Sequence, residues 1–366
     1  MRTIGVLTTS RAEYGILRPV LKEIARDAEL CLQLFVGGAH LSPEFGNTVE
    51  QIEFPIVERV ECLMSSETPE GIAKSIGMTT FGFGQAFART RPDIMLITGD
   101  RFEAVAVALA AIPFKIPVAH LGGGDITIGA FDESLRHAIT KMSHLHFCYA
   151  KEQASHVLQL GENPERVLVT GNPALDGLSD TYGNPVAKGA LVVIFHPVTL
   201  EYEYTDQYID NLLAALKQRT EPIVFILPNA DTAGRKIIKK MRRFPNAQAH
   251  ANLVPPVFYD LLRYAVAIVG NSSCALMEAP SFSLPAVNIG TRQEGRLRGA
   301  NVIDVGYSTE EIMAGIDRAL TIQLKDLINP YGDGHAAPRI VQALKNVPLD
   351  IIEKKFYMYE YGFQHP

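Results

Sequence analysis

Short apolar runs rich in β-branched residues alternate along the chain with stretches in which apolar residues recur every three to four positions. Runs of the first kind predict buried strands, and stretches of the second kind, such as 16–24, predict amphipathic helices. In the first half, the predicted strands lie at 3–9, 30–37, 93–99, 117–121, 145–149 and 166–170. Because strands that alternate with helices form crossover units, the pattern predicts a parallel sheet covered by helices.

The alternation stops at 173–188, where glycine, proline and small polar residues predict a linker between domains. It resumes with predicted strands at 190–195, 222–227, 265–270 and 284–289. The pattern therefore predicts an α/β protein with two doubly wound Rossmann-like domains that face each other across a cleft. We predict an N-terminal domain at 1–172, a C-terminal domain at 189–340 and a C-terminal helical segment at 341–366. Ligands of such sheets bind beyond the carboxyl ends of the strands.

The composition narrows the possible functions. The 366 residues are 47% hydrophobic and carry a net charge of −6, which is typical of a folded protein. The lack of a basic block argues against binding to nucleic acid or to an anionic membrane. The four cysteines form no CxxC pair, so neither a zinc site nor a disulfide framework is predicted. Without a signal peptide or a run of ~18 apolar residues, the chain is expected to be soluble and cytoplasmic.

Polar residues follow several of the predicted strands. The first strand leads into 9–15, TSRAEYG, in which Arg11 lies at the start of a predicted helix. Free backbone N–H groups, the positive end of a helix dipole and a guanidinium together favour phosphate binding. A helix cap with a solvated arginine explains the same residues equally well. The chain has neither a GxGxxG nor a GKS/GKT motif, so the standard dinucleotide and P-loop sites lack support.

Four carboxylates follow the next buried strands of the first half: Asp100, Asp125, Asp132 and Glu133. Because the carboxyl ends of parallel strands meet at one edge of the sheet, we expect these side chains to converge on one rim. Repulsion within the cluster would raise the pKa of at least one carboxyl toward the range useful for acid–base catalysis. The alternative is structural, since these residues can also cap helices and complement helix dipoles.

The second half contributes candidates for binding a nucleoside diphosphate. His196 follows the first predicted strand of this half, and a later strand leads into a small polar turn with Ser272 and Ser273. Backbone amides and hydroxyls of such a turn suit a diphosphate, and Glu278 in the following helix can accept both hydroxyls of a ribose. The alternatives are a structural histidine and an ordinary helix cap.

A glycine-punctuated loop at 290–299 adds three arginines, Arg292 among them. Three cations in one loop suit a multiply charged anion, although a solvated loop has the same composition. A phosphate-binding second half and a carboxylate-rich first half together predict an enzyme that acts on a nucleotide sugar.

Segments spread over nearly the whole chain resemble, in order, the hydrolysing UDP-N-acetylglucosamine 2-epimerases. They are TSRAEYG at 9–15, GDR at 99–101, DES at 132–134, RHAITK at 136–141, FHP at 195–197, NADT at 229–232, GNSS at 270–273 and GTRQ at 290–293. The resemblance implies a glycosyltransferase-B-like fold with the active site between the domains, and a C-terminal segment that packs back on the N-terminal domain. It also implies a small-molecule nucleotide-sugar substrate, no cofactor, no metal and a homodimer or homotetramer.

The resemblance further implies a reaction and roles for individual residues. UDP would be eliminated to give a 2-acetamidoglucal, and water would then add with the opposite configuration at C2. Asp100 and Asp132 match the acid–base carboxylates, and His196 matches a histidine beside the diphosphate. The candidate catalytic residues are Asp100, Asp125, Asp132, Glu133 and His196. The candidate substrate-binding residues are Arg11, Glu13, His40, Asn229, Ser272, Ser273, Glu278 and Arg292.

The run from Gly122 to Asp125, GGGD, departs from the family pattern, because many relatives carry Glu or His at the first position. Either Asp125 or Asp132 takes over the role of the missing side chain, or the pocket has room for a larger sugar. We therefore expect hydrolysis of UDP-N-acetylglucosamine to N-acetylmannosamine and UDP, for sialic-acid-type biosynthesis. The same chemistry on UDP-2,4-diacetamido-2,4,6-trideoxyglucose is the alternative. A non-hydrolysing epimerase, a glycosyltransferase and a nucleotide-sugar-binding regulator are further alternatives.

Overall fold

The computed structural model describes residues 1–64, 68–128, 131–178, 182–198, 200–228, 234–251, 253–325, 327–350 and 352–358. Over these residues the chain forms two parallel sheets, each packed against helices. The predicted fold class, α/β with two doubly wound domains, is confirmed.

The first strand of the chain begins at Arg2 and lies in the interior of the N-terminal sheet. Its strands are β1 (Arg2–Thr8), β2 (Leu30–Gly37), β3 (Ile56–Val60), β4 (Ile94–Thr98), β5 (Val118–Leu121), β6 (Leu145–Cys148) and β7 (Val167–Val169). Their order is β3-β2-β1-β4-β5-β6-β7, and all neighbouring pairs are parallel. The helices of this half are α1 (Arg11–Arg26), α2 (Pro69–Arg89), α3 (Phe102–Ala111), α4 (Asp132–Met142) and α5 (Lys151–Gln159).

The C-terminal sheet repeats the same winding with shorter strands. They are β8 (Leu191–Ile194), β9 (Ile223–Ile226), β10 (Ala247–His250), β11 (Ala267–Gly270), β12 (Ala286–Ile289) and β13 (Val302–Val305), in the order β10-β9-β8-β11-β12-β13. The helices of this half are α6 (Thr205–Leu216), α7 (Gly234–Met241), α8 (Pro255–Tyr264), α9 (Cys274–Met277), α10 (Thr309–Thr321) and α11 (Ala336–Asn346). The strand order reverses between β1 and β4 in the first sheet and between β8 and β11 in the second. Each reversal opens a crevice at the carboxyl ends of the strands.

The sequence analysis missed three strands, β3, β10 and β13, which lie at sheet edges. Their residues are mostly half-buried or exposed, unlike the fully buried strands β4 and β8. An edge strand is covered on fewer sides, so it does not need the continuous apolar run that identifies a central strand of a parallel sheet.

The turn before α1 is fixed by a reciprocal cap. Ser10 accepts a hydrogen bond from the backbone of Glu13, and the Glu13 carboxylate accepts one from the backbone of Ser10. This arrangement satisfies backbone donors that a helix N-terminus leaves without partners. The helix then buries one stripe of apolar residues against the sheet: Tyr14, Leu17, Val20, Leu21 and Ile24. The start of α1 is therefore held rigidly at the edge of the crevice.

The chain crosses between the domains at two places that lie side by side. The amide of Asn172, at the first crossing, donates to the carbonyl of Tyr331 at the second crossing, at 2.8 Å. A Cβ on Gly332 would lie 3.0 Å from the Cα of Gly171, so the two segments touch through their backbones. Beyond the second crossing, the carboxylate of Asp176 caps α11 by accepting from two amides at 2.9 and 2.6 Å.

Helix α11 packs against α1 of the N-terminal domain. Ile340 and Leu344 are fully buried there, and the carbonyl of Leu344 accepts from Arg2 Nη1 at 2.6 Å. The predicted boundary at 340 falls inside this helix, and the helix ends at Asn346, so the helical segment predicted for 341–366 is too long. The described residues 352–358 are not helical.

The segment 352–358 lies across the N-terminal domain. Lys354 Nζ lies 2.7 Å from the buried carboxylate of Glu162, and the amide of Tyr357 donates to the carbonyl of Gly161 at 3.0 Å. Among the described residues, no helix is both long enough and apolar enough to cross a membrane.

Candidate active site

A cleft lies between the two domains, at the carboxyl ends of both sheets. Arg11 in the first turn of α1 lines one side, and His196, Ser272, Ser273 and Glu278 line the other. Apolar side chains complete the wall: Ile194, Ile226, Leu227, Leu253, Phe258 and Tyr259. Apolar walls with a few polar groups suit a ligand that combines a planar base with charged groups.

Arg11 is placed as the sequence analysis predicted, at the helix N-terminus and in the cleft. Burial lowers the pKa of Arg11 to about 10, so the guanidinium still carries its charge at neutral pH. Its Nη1 donates to the carbonyl of Ala251 in the C-terminal domain at 3.3 Å. A cation beside the N-terminus of α1 makes this end of the cleft favourable for phosphate.

Asn271 holds the opposite wall together, and the sequence analysis did not single it out. Its side-chain Oδ1 accepts from the His196 amide at 2.7 Å, and its Nδ2 donates to the His196 carbonyl at 2.9 Å. The amide therefore joins the ends of β8 and β11 at the point where the strand order reverses. His196 is 8% exposed, and Asn271 fixes its backbone where the ring lines the cleft.

Glu278 follows α9 and is a buried acceptor at the cleft. Burial raises the pKa of Glu278 to about 7, and its Oε2 has no hydrogen-bond partner among the described residues. A buried carboxylate without a donor is costly, and a ligand that brings hydroxyl groups relieves that cost. The ribose contact predicted for Glu278 stays a prediction, for which Glu278 lies in the lining of the cleft. Ser272 and Ser273, which line the same wall, precede α9.

The predicted carboxylates of the N-terminal domain meet around one cation, the guanidinium of Arg136. This side chain is 1% exposed. It bonds to the carboxylate of Asp100, to Glu133 Oε2 at 2.6 Å and to the backbone carbonyl of Asp125 at 2.9 Å. Its Nη2 also donates to Thr127 Oγ1 at 2.6 Å. The predicted convergence of Asp100, Asp125 and Glu133 on one rim is thus what the structure shows.

Two carboxyls of this rim, Asp100 and Glu133, have a lowered pKa, whereas repulsion alone would have raised it. Burial would raise the pKa of Asp100, but the charges of Arg136, Arg296 and Arg292 outweigh burial and lower it. The pKa of Glu133 falls to about 2, because bonds from His137 and the Thr127 amide, with the charge of Arg136, also outweigh burial. The sequence analysis considered only repulsion among acids. Opposite charges at hydrogen-bond distance reverse the sign of the shift.

Asp125 forms an ion pair with the other domain. Its Oδ2 lies 2.8 Å from Nε of Arg296, and its Oδ1 accepts from Gln153 Nε2 at 3.1 Å. The pair is almost shielded from solvent, with side-chain exposures of 10% for Arg296 and 5% for Asp125. Arg292, in the same loop, donates from Nη1 to the carbonyl of Asn271 at 3.1 Å. Neither arginine lines the cleft described above.

Asp132 is the first residue of α4, and the residue before it, Phe131, occupies the cap position. The side chain of Asp132 is half-buried, one residue from Glu133. The alternative in which Asp132 is the N-cap of this helix is therefore not what the structure shows.

Two predicted substrate contacts, Glu13 and His40, lie behind the cleft and not in its lining. Oε2 of Glu13 accepts from the amide and hydroxyl of Thr9 at 2.7 and 2.6 Å, and burial raises the pKa of Glu13 to about 7. His40 Nε2 lies 2.9 Å from Thr8 Oγ1 and its Nδ1 lies 2.8 Å from Thr48 Oγ1. Both side chains hold the turns that end β1 and β2. Asn229 lies outside the described residues.

A model of the UDP-N-acetylglucosamine 2-epimerase family matches residues 22–345. The chain belongs to this family. A hydrolysing UDP-N,N'-diacetylbacillosamine 2-epimerase of Legionella pneumophila is 35% identical over 366 residues, which covers 95% of this chain and 97% of that protein. The polysialic acid biosynthesis protein P7 of Escherichia coli is 35% identical over 369 residues, which covers 94% of both chains. The family expected from the motifs is confirmed.

Solved structures share the fold. The structure of S. aureus MnaA with UDP matches with a TM-score of 0.79 at 20% sequence identity, over 94% of this chain and 96% of that one. The glycosyltransferase-B-like arrangement of two domains, expected from the resemblance, is confirmed. At this identity the likeness concerns the fold alone.

The departure from the family pattern at Gly122 has a structural explanation that the sequence analysis did not reach. Gly122 has φ +85°, and a Cβ built on it would lie 2.8 Å from the hydroxyl oxygen of Tyr149. Tyr149 follows β6, is 6% exposed and lies in the field of Asp125, Asp100 and Glu278. The space beside Gly122 is therefore filled by Tyr149, and the structure does not show the room for a larger sugar that glycine alone suggested.

Substitutions at Gly122 and Tyr149 test whether these two residues are in contact. We expect Gly122→His to destabilise the protein by about 2–4 kcal/mol, because the new side chain meets Tyr149 and the backbone disfavours it. Urea denaturation measures the loss, and Gly84→His, at a position with nothing within 4 Å, is the matched control. Combined with Tyr149→Ala, Gly122→His should cost about 1–3 kcal/mol less than the sum of the single effects. Additive effects would contradict the contact.

Proposed function

We propose that this protein is a hydrolysing UDP-sugar 2-epimerase that converts UDP-N-acetylglucosamine and water into N-acetylmannosamine and UDP. The observation that carries the proposal is the arrangement of the site: a cleft suited to a nucleoside diphosphate lies next to carboxylates that Arg136 keeps ionised. Family membership supports the same reading. On this basis we propose a catalytic role for Asp100, Asp132, Glu133 and His196, and a substrate-binding role for Arg11, Ser272, Ser273 and Glu278.

The first step of the proposed reaction is an elimination. A carboxylate takes the proton from C2, the C–H electrons form a C1=C2 double bond, and the C1–O bond breaks with its electrons leaving on UDP. Asp100 is suited to accept the proton, because its lowered pKa keeps it ionised at neutral pH. Arg11 and His196 line the cleft where the departing diphosphate would lie, and a cation there stabilises the leaving group.

The second step of the proposed reaction is a hydration of the 2-acetamidoglucal. Water adds its oxygen to C1, and a proton is returned to C2 on the opposite face of the ring. Two groups on different sides of the sugar are needed for this inversion, and Asp132 at the start of α4 is proposed as the second. The free sugar and UDP are then released.

A second candidate substrate is UDP-2,4-diacetamido-2,4,6-trideoxyglucose, which is UDP-N,N'-diacetylbacillosamine. The activity for which the Legionella pneumophila relative is named favours it. The E. coli relative is named for polysialic acid biosynthesis and favours the first candidate. The filled space beside Gly122 removes the one residue-based argument for a larger sugar.

Proton NMR in D2O with each sugar nucleotide tests the proposal. We expect free UDP and a 2-epimeric sugar that carries deuterium at C2, because the elimination removes the C2 proton to solvent. The faster of the two sugar nucleotides identifies the substrate. A product that keeps its nucleotide would make the enzyme a non-hydrolysing epimerase, and no conversion of either compound would overturn the proposal.

The acid–base assignment is tested by Asp100→Asn and Asp132→Asn. Each change keeps the shape but removes the group that exchanges the proton, so we expect kcat to fall by on the order of 100-fold or more. UDP affinity, measured by calorimetry, should change little. The control is Asp210→Asn, which alters a 64% exposed residue of α6 paired with Lys240. Near-normal turnover in either active-site variant would show that the residue transfers no proton.

The raised pKa of Glu278 predicts a proton linkage. Near pH 6.5 a group with a pKa of about 7 is mostly protonated. Ribose hydroxyls donate hydrogen bonds to the ionised form of Glu278. We therefore expect UDP binding to release a proton, and we expect UDP affinity to increase with pH until about pH 7. Calorimetry in two buffers of different ionisation enthalpy counts the protons. Glu278→Gln should lack this release, and ionisation of UDP itself is common to both proteins. Equal release would remove Glu278 from the ribose site.

A further inference from the structure

We propose that Arg296 is a positioning residue supplied by the C-terminal domain, which completes the charge arrangement around Asp100 only when the two domains are closed. The inference rests on the proposed function, and it assigns Asp125 the task of holding Arg296 instead of exchanging a proton. Neither role follows from the motif residues of the family resemblance.

The distances show a cation placed between two acids of the opposite domain. Nε of Arg296 lies 2.8 Å from Oδ2 of Asp125, and its Nη2 lies 3.9 Å from Oδ2 of Asp100. Asp125 is held from the other side by Gln153, whose Oε1 also accepts from the Tyr149 amide at 2.9 Å. The guanidinium therefore lies at ion-pair distance from both acids and closer to Asp125, although its buried Nε has no partner with hydrogen-bond geometry among the described residues.

The loop that carries Arg296 is docked on the N-terminal domain by its backbone. The amide of Ile128 donates to the carbonyl of Glu294 at 3.2 Å. Gly295 has φ +86°, and a Cβ on it would lie 2.3 Å from Cγ2 of Ile126, so only glycine permits this approach. The hydroxyl of Tyr331 donates to the carbonyl of Leu297 at 2.7 Å. Contacts on both sides of Arg296 thus fix its position.

Charged and titratable side chains from several elements surround Asp100. The cations are Arg136 of α4 and Arg292 and Arg296 of the loop after β12. The other groups that face the cluster are Asp125, Glu133, His120 of β5 and Tyr149 after β6. Burial keeps His120 neutral, because it lowers its pKa to about 3, and burial raises the pKa of Tyr149, which also stays neutral.

Separating the domains would take apart the charge arrangement of the rim. Arg136 belongs to the N-terminal domain and stays, but Arg296 and Arg292 leave with the C-terminal domain. Asp100 and Asp125 would then lose their charged partners from the other side. The full set of cations around Asp100 is therefore assembled only while the cleft is closed around the nucleotide.

The test measures kcat against pH for Arg296→Gln. Asp100 must be ionised to accept the proton, and the charge of Arg296 lowers its pKa, so loss of Arg296 should move the acidic limb of the profile to higher pH. We expect kcat at neutral pH to fall roughly 10–100-fold and UDP affinity to change little, because Arg296 is not in the lining of the cleft. Arg296→Lys should return part of the shift, because it keeps the charge.

The matched control is Arg219→Gln. Arg219 has a side-chain exposure of 13% and pairs with two carboxylates, Glu221 at 2.9 Å and Asp317 at 2.6 Å, all in the C-terminal domain. Its pH profile should match that of the wild type. If Arg296→Gln does not fold, Arg296→Met keeps the length of the side chain, removes the same charge and should shift the same limb in the same direction.

The outcomes separate the two proposals. A wild-type protein that releases no UDP from either sugar nucleotide overturns the proposed function. An active wild type whose pH profile coincides with those of Arg296→Gln and Arg296→Met overturns only the role of Arg296. An equal fall in kcat for Arg296→Gln and Arg219→Gln without a shift of the limb would reduce Arg296 to a structural ion pair.

Discussion

The acidic rim of this protein depends on one buried cation, the guanidinium of Arg136. A charge with 1% exposure is tolerated only where partners surround it, and here Asp100, Glu133, Thr127 and the carbonyl of Asp125 do so. The same bonds allow several carboxylates to share a small space without mutual repulsion. The stability of the rim and the ionised state that proton abstraction requires therefore have one physical origin.

The rim could be predicted from the sequence because topology brings it together. In a parallel sheet every carboxyl end lies at the same edge, so strand assignments alone were enough to gather Asp100, Asp125 and Glu133. The charge state was not predicted, although its signal was present: Arg136 lies three residues after Glu133, the spacing at which helical side chains meet. Counting the acids without this cation left the lowered pKa values of Asp100 and Glu133 unpredicted.

Other features had no local signal. Asn271 pairs with His196 across 75 positions, and Tyr149 fills the space beside Gly122, so only the folded chain shows either contact. The edge strands β3, β10 and β13 were not predicted for a related reason, because a half-exposed strand needs no continuous apolar run. The family motifs also contain both residues that line the cleft and residues that only hold the backbone in place. Glu13 lies in the same matched segment as Arg11, yet it closes a helix cap while Arg11 lines the cleft.

The two chain crossings, which touch at Gly171 and Gly332, have a mechanical consequence. A single flexible connection would let one domain swing in any direction. Two connections side by side restrict how far the domains can slide past each other, because such a motion would strain one of the two backbones. A ligand that holds the domains together therefore has fewer relative orientations to order than it would have with a single connection.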